Sequence, residues 1–343
     1  MKIIPASIRT ALFLFAAITL AAASPRGESY SWQNFQSDIA GVAEHVDRNL
    51  VNPWGMAASS NGTIWVSDNG TGVSTLYAQD GNANPLVVIV PGKDKKGPSN
   101  PTGVVFNSTS FFQVTKNGIS QPSRFIFVNE DGTISGWNPA LDMTHAIQAV
   151  KGDKDNVYKG LTMGMASGHN FLYVTNFHEN RIDVYDENFH LVHGAGFVDP
   201  NLPDHFAPFG IRNFNGQIYV TYAKQAEGKR DDEPGPGNGF IDVFDTSGNL
   251  INRLVSQGNL NSPWGLALVE GDELWVGNFG DGKINNYDPI TGDFLGTINR
   301  ADGTPLQFDG LWDLLPLGDG VYFTAGIADE EHGLFGIITE DAN

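Results

Sequence analysis

The sequence predicts an all-β protein, a six-bladed β-propeller with four-stranded antiparallel blades, and three observations carry that expectation. A short turn ending in glycine opens an apolar strand six times: Asn52-Pro53-Trp54-Gly55, Asn100-Pro101-Thr102-Gly103, Tyr158-Lys159-Gly160, Ala207-Pro208-Phe209-Gly210, Ser262-Pro263-Trp264-Gly265 and Phe308-Asp309-Gly310. An aromatic strand with a polar tail follows each opening, from Ile64-Trp65-Val66-Ser67-Asp68 to Val321-Tyr322-Phe323-Thr324. The repeat is roughly 45–57 residues long and holds only short strands, which is the signature of propeller blades.

Blade five displays all four strands. Trp264 to Leu268 is the inner strand, Glu273 to Gly277 the second, Lys283 to Tyr287 the third and Phe294 to Ile298 the fourth, each joined to the next through a glycine turn. Blade six runs out after Leu334 to Ile338, one strand short, and Tyr30-Ser31-Trp32-Gln33-Asn34-Phe35 at the other end of the chain supplies the missing edge. The N- and C-terminal segments therefore close the ring. Two blades carry insertions, Asn107 to Ser123 in blade two and Lys224 to Gly239 in blade four. The second follows a strand ending on the face where the inner strands begin, so it is either a solvated loop or a lid over the central pocket.

Lys2 and Arg9, an apolar run from Ala11 to Ala21 and the small residues Ala22, Ala23 and Ser24 form the pattern of a secretory signal peptide. The expected organisation is a signal peptide over residues 1–24 and a single propeller domain over 25–343, secreted to the medium or periplasm as a monomer. Cys is absent, so core packing and ring closure hold the fold without disulfides. The net charge of −19 becomes about −21 without Lys2 and Arg9, a surface that repels phosphate backbones and anionic lipid and argues against nucleic-acid and membrane partners. Asn61, Asn69 and Asn107 head Asn-x-Ser/Thr triplets and are candidates for glycosylation.

Two residue rings are expected to line one mouth. The first is the residue before each opening glycine: Trp54, Thr102, Lys159, Phe209, Trp264 and Asp309, with Trp312 close by. The second is the polar end of each second strand: Asp68, Asn129, Asn176, Tyr222, Asn278 and Thr324. Trp54, Phe209, Trp264 and Trp312 form an aromatic cup on which a planar or sugar-like ligand stacks, while Asn129, Asn176 and Asn278 supply hydrogen bonds. Lys159 and Asp309 form either a salt bridge that plugs the channel or an acid/base couple, with His178 a further candidate base. Asn and Asp at strand ends also serve simply to initiate turns.

The phrases Leu50-Val51-Asn52-Pro53-Trp54-Gly55, Asn129-Glu130-Asp131-Gly132-Thr133-Ile134-Ser135-Gly136-Trp137 and Asn278-Phe279-Gly280-Asp281-Gly282 resemble a family of secreted bacterial and fungal propellers without a settled activity. Some bacterial members carry a C-terminal sorting tail, and this chain ends at Asn343 with none. More remotely, the architecture resembles NHL-repeat proteins and gluconolactonase-like hydrolases, whose enzymatic members, the resemblance implies, hold an axial calcium on Glu, Asn and Asp before the opening glycines. Here that position offers one carboxylate, Asp309, and a competing cation, Lys159, which disfavours calcium. No metal or cofactor is expected.

Two function classes follow. One is a non-enzymatic extracellular propeller that binds a small molecule, a glycan or a protein at this mouth. The other is a hydrolase, lactonase or cyclase acting on a small organic substrate in the same pocket.

Overall fold

The structure is a computed structural model that describes residues 28–94, 97–270 and 272–342; the signal-peptide expectation for residues 1–24 lies outside them. Six sheets close into a ring, and within the described residues every regular element is a strand. The inner strands are Pro53–Ala58, Pro101–Phe106, Tyr158–Ala166, Phe206–Phe214, Pro263–Val269 and Leu311–Leu317. Each packs against the next, and the sixth packs against the first.

Blade six is completed as the sequence predicts. Tyr30–Ser37 runs antiparallel to Leu334–Glu340, pairing Tyr30 with Glu340 and Ser37 with Leu334. His45–Val46 adds a short parallel fifth strand to Gln36 and Ser37. Asp38 reinforces the seam by accepting Gly333 N at 2.8 Å and pairing with His332 at 2.7 Å.

Apolar side chains of neighbouring blades interleave to make the core. Phe35, Tyr322 and Phe335 of blade six meet Met56, Ile64, Val66 and Tyr77 of blade one in a single buried cluster. Such inter-blade burial at about 25 cal/mol per Å² is the main stabilising term in a chain without disulfides.

Glycine lets the inner strands converge at the axis. A Cβ on Gly55 would lie 2.7 Å from Thr102 O, on Gly160 2.9 Å from Phe209 O, and on Gly265 2.6 Å from Trp312 O. These are backbone atoms, so the blades would have to separate.

Blade six breaks this rule, and the registers assumed for it from sequence need correction. Pro53 pairs with Asp68 and Met56 with Val66, so Trp54 and Gly55 form the irregular step of blade one. In blade six Leu311 pairs with Ala325 and Leu314 with Phe323, which places Trp312 and Asp313 at that step. The axial residue of blade six is thus Trp312, not Asp309, and an aspartate occupies the glycine position. By the same register Thr324 falls one place short of the second ring and aligns with Thr221, its hydroxyl donating to Trp54 O at 2.5 Å.

The blade-two insertion contains the hairpin Gln113–Lys116 and Ile119–Pro122, and its Phe112 packs on Phe189 of blade three. Of the three glycosylation candidates only Asn61 is exposed. Asn69 and Asn107 are buried, donating to Glu130 Oε2 and to Ser123 O.

Candidate ligand-binding mouth

The expected aromatic cup is filled by its own side chains. Trp54 and Trp312 stack with ring centroids 3.5 Å apart, and Trp264 stands edge-on to both at 6.2 and 5.9 Å. Phe209, Phe177 and Phe279 complete the cluster, and none of Trp54, Phe209, Trp264 and Trp312 is more than 6% exposed. Their indole and phenyl faces are spent on one another, so they make a plug rather than a stacking platform.

A second stopper lies further along the inner strands. Arg212 of blade four reaches across to Asp313 of blade six at 2.6 Å. Asp313 also accepts Met56 N at 2.7 Å and Leu314 N at 2.8 Å. Burial raises this carboxyl above its ordinary value even against the Arg212 charge. Between the two layers the channel opens to only about 10 Å³. The cross-channel ion pair expected between Lys159 and Asp309 is therefore formed by Arg212 and Asp313, residues the sequence patterns did not mark.

The asparagines of the second ring organise turns instead of a pocket. Asn176 donates to Asn156 and Asp183 and accepts Val157 N. Asn278 donates to Asn259 O and Asp281 and accepts Asn261 N. Asn129 donates to Thr133 Oγ1 at 2.7 Å. All three are fully buried, and Asn176 and Asn278 tie the second strand to the segment that leads into the inner strand. His178 pairs with its neighbour Glu179 at 3.1 Å, and Asp309 accepts Ala328 N at 2.8 Å; neither is paired with Lys159.

Lys159 is the expected residue that does hold the mouth. Its ammonium lies 4.8 Å from the Trp54 ring centroid and 2.6 Å from Glu130 Oε1, with Asp231 Oδ1 at 3.8 Å. Burial by itself would raise Glu130, but the charge and hydrogen bond of Lys159, with Asn69, outweigh it and hold Glu130 below its ordinary value. Asp232 goes the other way, raised chiefly by burial. Glu330 is pushed up to about 7, first by burial and then by Glu130, Asp232 and Asp231, against the pull of Lys159. One ammonium thus serves four carboxylates, and one of those carboxylates exchanges its proton near neutral pH.

The blade-four insertion supplies two of them and spans the mouth. Arg230 donates to Glu130 O of blade two at 3.3 Å, and Gly235 N donates to Asn261 of blade five at 2.7 Å. It is a lid over the axis rather than a free solvated loop. Facing it, Ala328, Asp329 and Glu330 are three consecutive residues with φ of 56, 54 and 65°, a left-handed run that only surrounding structure sustains. Among the described residues no three His, Asp or Glu side chains are grouped to hold a metal ion.

No family model matches the chain. Uncharacterized protein L690 of Acanthamoeba polyphaga mimivirus is 32% identical over 320 residues, covering 88% of this chain and 83% of that protein. The chain belongs to the L690 family. Uncharacterized protein R648 of the same virus is 31% identical over 340 residues, 92% of this chain and 82% of its own length. Among solved structures, virginiamycin B lyase from Staphylococcus aureus superposes with a TM-score of 0.51 at 15% identity, covering 91% of this chain and 99% of that one. A gluconolactonase from Xanthomonas campestris gives 0.53 at 13% identity, over 85% and 87%. These likenesses establish the propeller fold alone. The relatives that define the family are viral, and the propeller fold is the part of the sequence resemblance that the structural neighbours bear out.

Proposed function

We propose that this member of the L690 family is a non-enzymatic binding propeller that captures a cationic ligand, a small polyamine or a basic peptide segment, at the lidded mouth over Lys159. The observation that carries the reading is the closed axis. With the Trp layer and the Arg212–Asp313 pair in place, the axial cavity between them is only about 10 Å³, too small for a substrate, so recognition falls to the face. On that face Glu130, Asp231, Asp232 and Glu330 outnumber Lys159 and Arg230, and the chain as a whole carries −19. Carboxylates surrounded by low-dielectric walls focus a negative potential that concentrates cations.

The lysine–aspartate acid/base couple loses its geometric basis, because Lys159 is ion-paired to Glu130 and Asp309 is bonded elsewhere. We further propose that the protein works outside the cell, on the strength of the charge, apolar and small-residue order of residues 1–24; N-terminal sequencing of the mature protein would show a start near Ser24 or Pro25.

Titration with spermidine tests the binding reading. Saturable binding that weakens with salt and falls roughly tenfold in the Asp231→Asn/Glu330→Gln variant supports it. Equal affinity in that folded variant, or no binding at low salt, would refute it.

A further inference from the structure

We propose a second site, off the axis, that takes a neutral polyhydroxylated ligand such as a mono- or disaccharide. A crevice of about 410 Å³ opens between blades three and four, bounded by the segment 196–205 that links them and by Lys229 of the lid. This is the lower range of small-molecule sites, and it suits one or two sugar rings. The crevice is separate from the mouth over Lys159, and its assignment stands without the reading given above.

Three polar side chains on its wall are themselves buried. Asp199 is held by Arg253 with its side chain 2% exposed, and Tyr222 and Gln225 are 3% and 7% exposed. Gln225 is anchored by donating to Phe177 O at 2.6 Å, which fixes the amide where it meets the crevice. Behind Tyr222 lies Asp242, fully buried, which interacts with the Tyr222 hydroxyl and shares Arg253 with Asp199. A buried carboxylate, phenol and amide on one wall provide acceptors and donors at short range, the pairing that vicinal hydroxyls need.

Most of the charges around the crevice are spent on one another rather than offered to an ion. Arg181 is ion-paired to Glu179 and Asp183, and Asp199 to Arg253, which leaves Lys229 and Asp204 as one opposite pair on the lining. An apolar ligand would strip water from buried polar groups.

The backbone supplies an independent observation. Asn180, Phe197, His205 and Lys229 all line this crevice and all have left-handed φ, at 50, 60, 69 and 57°. Non-glycine residues adopt this region at a free-energy cost, and strain of this kind gathers at ligand sites. Four such residues come from three separate segments to one crevice.

The test is saturation-transfer NMR and calorimetric titration with glucose, galactose, N-acetylglucosamine, maltose and cellobiose. The expected result is saturable binding of at least one, weakened roughly tenfold by Gln225→Ala and by Asp204→Ala and unchanged in Asp231→Asn. Asp204 is exposed, so its variant keeps the fold even if Gln225→Ala does not. No saturable binding of any of the five sugars into the millimolar range would overturn the proposal. So would binding that both crevice variants leave intact.

Discussion

Asp313 is the residue on which the axis turns. Five blades have glycine at its position, and the sixth has a carboxylate that must find partners in a space built for a hydrogen atom. It finds Arg212, Met56 N and Leu314 N. Removing only the cation should be costly: Arg212→Met strands a buried carboxylate and is expected to lower stability by about 3–5 kcal/mol. The Arg212→Met/Asp313→Gly double variant restores the glycine rule and should recover most of that loss in urea unfolding. A double variant no better than the single would show that the pair is not coupled across the channel. None of this was legible in the sequence, because Asp309-Gly310 imitates the opening motif three residues early and draws the register with it. The pairing of Arg212 with Asp313 spans blades four and six, a contact that no local pattern encodes.

Glu330 carries the pH dependence of the same region. Its folded value, about 7, lies above its ordinary 4.5, so the folded state binds the proton more tightly than the unfolded one. Its contribution is therefore full below about pH 4.5 and is lost as pH rises through 7. The loss is on the order of 1–3 kcal/mol. Glu330→Gln should flatten the fall in urea-unfolding stability between pH 5 and pH 8, and an unchanged pH profile would remove Glu330 from the account.

At the scale of elements, the closing strand and the position of the blade-four insertion were the parts most legible in advance, whereas the choice between a solvated loop and a lid was left open by the sequence. The one-strand deficit after Ile338 and the spare aromatic strand at Tyr30 both follow from period-two patterning, which is local. Deleting residues 28–37 should leave Leu334–Glu340 as an unpaired edge and uncover the Tyr322 and Phe335 rings that Phe35 packs against. A lower thermal midpoint and concentration-dependent association are expected; a monomer of unaltered midpoint would contradict closure by this strand. The position of the lid was readable because the strand before the insertion has a known direction. Its polar contacts were not, since Asp231 and Arg230 sit in a mixed-charge stretch with no periodicity. Lys159 is 3% exposed beneath it, so acetic anhydride labelling should spare this lysine in the native protein. Shortening the insertion at 226–233 should make it reactive, and equal labelling with and without the insertion would show that it does not cover the mouth.

At the scale of the whole molecule, the ring closes its axis with its own core. Four aromatics at the ring centre, Trp54, Phe209, Trp264 and Trp312, were visible in the sequence, but Phe177, Phe279 and the packed state of the cluster were not. Whether Trp54, Trp264 and Trp312 open as a cup or pack as a plug depends on how far six blades converge, which glycine contacts between blades decide. The most direct test is urea unfolding of Trp264→Ala. A plug predicts a loss of about 3–5 kcal/mol from the cavity left in the axial cluster, with spermidine affinity in the folded fraction unchanged. Native stability together with lost ligand binding would show instead that the tryptophan stands in an open site, and would contradict the closed axis.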